Sequence, residues 1–342
     1  MGGKSKVASW VWERLGNVPN YVEPFFGSGA VLLGRPQPIT GIETANDLDG
    51  FIVNFWRAVK HDPEKVVYWA DQPVWENELH SRHAYLVGIR KDFTARLEGD
   101  PEYYDAKVAG WWVWGLCCWI GGGWCSGQGP WKSIDGKLTM EGAGEGVVRS
   151  RIQIGHDRGM LGAGVNRKRP HMGSPSITGK FHDVDGLYSY MDDLCERFRS
   201  VRVCCGDWIR VLGPVPTTTL GLTGVFLDPP YNMAGRSGNL YAEEMPTADA
   251  VREWAIAHGD NPKMRIALCG YSGEHEMPDS WDEVPWKTSG GYANQGDARG
   301  RQNAKRERIW FSPHCLQENF FAVHEETELY ADEDSECDED AE

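Results

Sequence analysis

Asp228-Pro229-Pro230-Tyr231 is the segment of this chain best suited to chemistry. Two consecutive prolines withdraw two backbone donors and restrict the residue before each, so carbonyls stay open and the chain is locally rigid. A carboxylate, open carbonyls and an aromatic ring make a set of acceptors beside a stacking surface, which suits a planar base bearing an exocyclic amino group. A second candidate is Phe26-Gly27-Ser28-Gly29, where glycine lets backbone approach a ligand closely and a following helix points its N-terminus at it. Asp47 lies eighteen residues past Gly29, a spacing at which an acid can hold the two hydroxyls of a ribose, so a nucleoside-containing cofactor is a candidate ligand. The same Asn46-Asp47 pair could instead cap a helix beginning near Asp49.

These loops need strands and helices to hold them. Val7, Trp10, Val11 and Leu15 share one face of a short helix over residues 4–15. Tyr21 to Phe26 reads as a buried strand running into the glycine turn, with a helix resuming at Ala30. A second strand ends near Thr44, and Ile52, Phe55, Trp56 and Val59 give the stripe of the next helix. After residue 180 the regularity returns. Leu187, Tyr190, Met191, Leu194 and Phe198 form a helical stripe, followed by strands at Val201–Cys205 and Gly224–Leu227, a helix around Val251–His258, and strands at Arg265–Gly270 and Arg308–Ser312. Alternating strands and helices predict a largely parallel α/β sheet, whose ligands bind beyond the carboxyl ends of its strands. Asp228, Gly206-Asp207-Trp208, Asp47 and the glycine turn all fall at such ends.

Together these blocks resemble Dam-type, alpha-class DNA adenine-N6 methyltransferases. Gly2-Gly3-Lys4 is similar to their N-terminal cofactor motif, Glu23-Pro24-Phe25-Phe26-Gly27-Ser28-Gly29 to their glycine motif, and Asn46-Asp47 to their ribose-binding acid. Gly206-Asp207-Trp208 resembles their adenine-contacting motif and Asp228-Pro229-Pro230-Tyr231 their catalytic one, in the same order. The resemblance implies a Rossmann-like S-adenosylmethionine-dependent sheet with an inserted, mostly helical target-recognition domain. It implies that Lys4, Glu23, Pro24, Phe26, Gly27, Gly29, Asp47, Asp207, Trp208 and Asp228 bind the cofactor. The same resemblance makes Asp228, Pro229, Pro230 and Tyr231 catalytic, on an adenine flipped out of duplex DNA. It implies no metal. Arg306-Glu307-Arg308-Ile309-Trp310-Phe311-Ser312 is reminiscent of bacteriophage-encoded members. Cys117 and Cys118 stand where many relatives carry an Asn-Arg pair, so target specificity does not transfer.

Charge distribution fits that reading. Residues 324–342 hold eleven acidic side chains and no Lys or Arg, so the −15 of the whole chain leaves −4 for the rest. That tail is too charged to bury anything and is expected to be disordered. Residues 149–180 carry a local +6, and Arg149, Arg151, Arg167, Lys168 and Arg169 are candidates for neutralising DNA phosphates. A solvated loop is the bland alternative. The apolar run from Val108 to Cys125 holds five Gly and five Trp. It reads as a buried aromatic segment rather than a membrane span, because Trp prefers interfaces to hydrocarbon.

Nine cysteines without a CxxC and no His cluster at zinc spacing point to reduced thiols and no structural metal. The expected division is a catalytic domain from residues 1–61 and 184–323, a DNA-binding insertion at 62–183 and the tail at 324–342. The expected setting is the cytoplasm of a bacterium or phage-infected host, and the residues leave oligomeric state and a cognate restriction nuclease open. Two other readings share the residues: a cytosine-N4 or RNA-base methyltransferase with the same cofactor, and a non-catalytic DNA-binding protein of the same fold.

Overall fold

The computed structural model describes residue 4 and residues 7–119, 124–125, 131–134, 137–140, 184–230, 245–286 and 306–317. In chain order the elements are α1 (Ala8–Leu15), β1 (Asn20–Glu23), α2 (Ala30–Leu33), β2 (Ile42–Asp47), α3 (Gly50–His61), α4 (Pro63–Ala70), α5 (Glu76–Gly99) and α6 (Ala106–Cys118). A hairpin of β3 (Trp131–Ile134) and β4 (Lys137–Met140) precedes α7 (Val184–Phe198), β5 (Val201–Cys205), β6 (Thr223–Leu227), α8 (Met245–Gly259), β7 (Met264–Tyr271), β8 (Asp282–Pro285) and β9 (Glu307–Phe311).

Seven strands form one sheet in the order β5-β2-β1-β6-β7-β9-β8. The first five are mutually parallel, while β9 runs antiparallel to both β7 and β8. The predicted Rossmann-like α/β class is therefore what the chain adopts. The reversed β9 departs from the expected alternation, and β8, whose Asp282-Glu283-Val284-Pro285 suits an exposed edge, was not anticipated.

Packing follows from two-sided burial. Every residue of β1 and of β6 is buried, as expected of parallel strands covered on both faces. Tyr21, Phe226, Ala267, Cys269, Ile309 and Phe311 pack on one face with α1, α2, α3 and α7. Val22, Val225, Leu227, Ile266, Leu268 and Trp310 pack on the other, with Val251 and Ala255 of α8 and with Trp281. The first cluster continues without a break through Val66 of α4, Leu79 and Leu86 of α5, and Trp112 and Trp114 of α6. α6 is the apolar run noted above, and its close approach to α4 depends on Gly110. A Cβ there would come within 2.7 Å of the Val66 carbonyl oxygen and 2.9 Å of the Ala70 nitrogen. Among the described residues no helix is long and apolar enough to cross a membrane.

A buried ion cluster ties the helical face to the sheet. Glu43 of β2 is 1% exposed and accepts from Arg197 of α7 at 2.6 and 2.9 Å and from Arg35 at 3.1 Å. Arg197 also donates to the Leu32 carbonyl of α2, and Arg35 to the Val18 carbonyl. Removing the acid from such a cluster strands two guanidinium groups out of water. Glu43→Gln is expected to lower unfolding free energy by about 3–5 kcal/mol. Arg199→Ala, which breaks an exposed pair with Glu196, should cost less than about 1 kcal/mol. Urea unfolding of both variants checks the contrast.

Candidate active site

The strand order reverses direction between β1 and β6: β2 and β5 follow on one side of β1, and β7 on the other side of β6. In open α/β sheets that reversal leaves a crevice at the carboxyl edge. β1 ends there at Glu23, β2 at Asp47, β5 at Cys205 and β6 at Leu227, each followed by one of the predicted site loops. Glu23 lies beside Ala45, Asp47 beside Cys205 and Val22 beside Val225, so parallel register brings residues from four distant sequence positions to one edge.

A cavity of about 180 Å³ opens in the crevice. It is lined by Lys4, Glu23, Asp228 and Phe226 together with Phe25, Phe26, Gly27 and Ser28. Gly27 adopts φ +49° and nothing lies within 4 Å of where its Cβ would be, so the glycine leaves space at the cavity wall. Gly29 serves packing instead: at φ +65° its Cβ would collide with the Phe26 ring at 2.5 Å. Phe26 in turn meets Trp56 edge-on at 5.3 Å and Phe198 at 5.9 Å, fixing the loop to the core.

The electrostatics of the cavity are unusual. Burial pushes the Glu23 carboxyl well above the usual carboxylate range; hydrogen bonds from the Tyr21 phenol and the Leu32 N–H oppose this, and the charge of Asp228 adds to it. Tyr21 Oη donates to Glu23 Oε2 at 2.9 Å. Lys4 Nζ lies 3.0 Å from Asp228 Oδ1 and 3.5 Å from Glu307 Oε2, with its side chain 14% exposed. Burial alone would lower the Lys4 pKa, but Asp228, Cys269 and Glu307 together outweigh it and raise the value above that of a free lysine. Lys4 is thus a buried ion-pair partner of Asp228 rather than the exposed residue that a position near the start of the chain suggests. Pro229 is buried and Pro230 exposed.

Asp47 is occupied differently from the simple ribose-acid picture. Its Oδ2 accepts the Gly27 N–H at 2.8 Å and its Oδ1 accepts the Asp49 N–H at 2.9 Å. The Gly27 carbonyl accepts from Trp56 Nε1 at 3.0 Å, so both polar groups of that residue are engaged within the protein. α2 is a single turn, too short to supply the strong N-terminal dipole expected of a longer helix. Helix α3 is capped by Asp49, whose carboxylate accepts the Phe51 N–H, not by Asp47.

Neighbouring Asn46, buried, donates to the carbonyls of Pro24 at 3.1 Å and Gly206 at 2.9 Å, stapling the loops after β1 and β5 to β2. Asp207 caps the turn at Trp208–Val211 through the Ile209 N–H, and Trp208 stacks on Phe25 at 6.1 Å. The aromatic wall of the cavity therefore reaches the loop after β5.

Sequence reasoning missed Glu307 and Trp286, which approach Lys4, and gave Asn46 no role of its own. Trp286 holds its ring centroid 4.8 Å from Lys4 Nζ. Tyr231, Gly2, Gly3, residues 324–342 and the basic residues Arg149, Arg151, Arg167, Lys168 and Arg169 lie outside the described residues. Trp112, Trp114 and Trp124 are buried, the core role expected of most of that cluster. Among the described residues no group of three His, Cys, Asp or Glu side chains could hold a metal ion.

A reversed-order, mostly parallel seven-stranded sheet with an Asp-Pro-Pro segment at its switch point is consistent with a Rossmann-like methyltransferase fold. Residues 1–108 match the model of the D12 class N6 adenine-specific DNA methyltransferases, the family to which the Dam-type resemblance points. The match covers the first third of the chain and supports an adenine-specific DNA methyltransferase. No curated protein matches the chain.

Asp47 yields a pH-dependent expectation. Burial raises its pKa from the ordinary 3.8 to about 6, against the lowering effect of its backbone hydrogen bonds. The unfolded chain releases this proton first as pH rises. The stability tied to the group is therefore present below about pH 4 and lost as pH climbs through about 6. Asp47→Asn should abolish that slope, and should also cost about 1–3 kcal/mol, because one amide oxygen replaces two carboxylate acceptors. Thermal unfolding at pH 4, 5 and 6 reads both effects, and parallel slopes for the two proteins would contradict the assignment.

Proposed function

We propose that this protein transfers a methyl group from S-adenosylmethionine to N6 of an adenine flipped out of duplex DNA. The observation that carries the reading is the meeting of Glu23, Lys4 and Asp228 around one cavity at the β1/β6 switch point. When bound, the cofactor supplies an electrophilic methyl group on a sulfonium. The residues present suit such a cation: the cavity carries acids, aromatic walls and a glycine without a Cβ at its rim. At about 180 Å³ it is smaller than the roughly 300–1,000 Å³ of ordinary ligand sites, so it takes part of the cofactor.

On this reading Lys4, Glu23, Pro24, Phe26, Gly27 and Gly29 line the end of the pocket nearest the transferred methyl. Asp47, Asp207 and Trp208, at the ends of β2 and β5, hold the adenosine end. A cation in the cavity would favour the ionised form of Glu23, whose neutral state burial otherwise favours.

Asp228 and the Pro229 carbonyl accept hydrogen bonds from the target amine and draw its lone pair out of conjugation. Pro230 stiffens the turn, and Tyr231 stacks on the extruded base. Catalysis then rests on positioning and fixed charge rather than on a covalent intermediate.

The domain division belongs to the same proposal. Residues 1–61 and 184–323 form the catalytic part and 62–183 the target-reading part, with α4 to α6 resting on the catalytic core and Arg149, Arg151, Arg167, Lys168 and Arg169 engaging phosphates. Residues 324–342 are an acidic appendage, and the setting is a bacterial cytoplasm.

Purified protein is expected to move a labelled methyl group from the cofactor onto unmethylated duplex DNA. Asp228→Ala should reduce transfer by about three orders of magnitude or more, the scale of a lost electrostatic contact plus misplacement, with a cooperative thermal transition retained. Nucleoside digestion and mass analysis of the product separates N6-methyladenine from N4-methylcytosine and from RNA products. DNA binding without any transfer would favour the non-catalytic reading.

A further inference from the structure

Lys4 reaches the catalytic motif without the support of a strand. It precedes α1, to which the Val7 N–H is joined by donating to the Lys4 carbonyl at 3.0 Å. Its side chain spans a gap between two strands that are not neighbours. Asp228 follows β6 and Glu307 opens β9, with β7 lying between them. Leu227 pairs with Leu268, and Tyr271 with Glu307, so the two carboxylates flank the carboxyl end of β7. Lys4 Nζ stands 3.0 Å from one and 3.5 Å from the other, beneath the Trp286 ring. The Asp228 and Glu307 side chains are 24% and 12% exposed.

A lysine ammonium is a point charge on a four-carbon stem, with donors that rotate freely. Held by Asp228 and the Cys269 thiol of β7 without Glu307, it could still follow that carboxylate through a rotation or leave it for water. Two acids on opposite sides of β7 restrict it to one place, and a fixed ammonium on Oδ1 restricts the rotation of Asp228 in turn. The strand-borne Glu307, whose backbone carbonyl also accepts the Trp286 N–H at 3.2 Å, is the more rigid of the two anchors.

We propose that Glu307 is a positioning residue for methyl transfer: it pins the Lys4 ammonium between β6 and β9, so that Asp228 meets the target amine in a single orientation. The proposal rests on the methyl-transfer reading above and deepens it. Glu307 acts through Lys4 and touches neither base nor cofactor.

The test uses the full chain with S-adenosylmethionine and duplex DNA. Glu307→Gln keeps shape and removes charge. Its single-turnover rate is expected to fall about 10- to 100-fold while cofactor Kd and DNA KM stay within about twofold, the split expected when orientation rather than binding is lost. Glu307→Asp keeps the charge at shorter reach and should fall between wild type and Glu307→Gln. A Glu307→Asp rate as low as that of Glu307→Gln overturns the proposal, as does a full rate in Glu307→Gln. In a Lys4→Met background Glu307→Gln should add no further loss, and additive losses overturn the proposal.

One readout needs no turnover. Acetic anhydride labelling of Lys4, quantified by mass spectrometry, should rise about threefold or more in Glu307→Gln, as expected from a fall of half a pKa unit. Unchanged labelling overturns the Lys4 contact. If wild type transfers no methyl group to any DNA while labelling still rises, the methyl-transfer reading fails and the Lys4–Glu307 contact stands.

Discussion

Parallel pairing of β1 with β6 is the constraint on which the rest of this molecule depends. Only that pair places Glu23 and Asp228 side by side, because the chain leaves β1 for one half of the sheet and enters β6 for the other. Everything else at the carboxyl edge is support for the resulting crevice. Asn46 draws the loops after β1 and β5 onto β2, Asp47 holds the glycine turn by its N–H, and Trp56 holds the same residue by its carbonyl. The turn is thus held from both sides while its glycine leaves open space over the cavity.

The charges of the crevice form a graded series. Glu23 is buried and its neutral form is favoured. Asp228 and Glu307 share a single cation, and the raised pKa of Lys4 keeps that cation charged. A site with more acids than bases suits a cationic donor, whereas duplex DNA needs basic side chains elsewhere on the chain.

Much of the fold was legible in the sequence, for reasons that can be named. Val201–Cys205 and Thr223–Leu227 are short apolar runs bounded by turn residues, and α7 repeats its apolar residues at helical spacing, so local pattern and tertiary environment agree. The apolar pattern carries β1 three residues too far, to Phe26, because the ladder stops at Glu23, before Pro24. β2 was ended too early, since Asn46 and Asp47 look like turn residues until β5 supplies Cys204 and Cys205 as partners. The β3–β4 hairpin carries a local signal, Asp135-Gly136 before the alternating run Lys137–Met140.

The site residues divide the same way. Motif residues with unusual backbone chemistry, such as Asp228-Pro229-Pro230, announce themselves. Glu307 does not: between Arg306 and Arg308 it reads as one more surface charge, and only the antiparallel register of β9 against Tyr271 brings it to the crevice. The direction of β9 is a product of tertiary closure rather than of local pattern. Lys4 was legible as a motif member but not as a buried ion-pair partner, since its partners lie more than two hundred positions away.

One consequence follows from the 303 positions that separate Lys4 from Glu307. A ribosome must extrude nearly all of the described chain before the last anchor of the amine-holding notch arrives. The glycine turn, β2 and α3 emerge early and can take shape while translation continues. Polypeptides released before β9 would retain the glycine turn yet lack the acid that β9 brings to the crevice. Translation itself would thereby delay completion of the notch until nearly all of the described residues have been made.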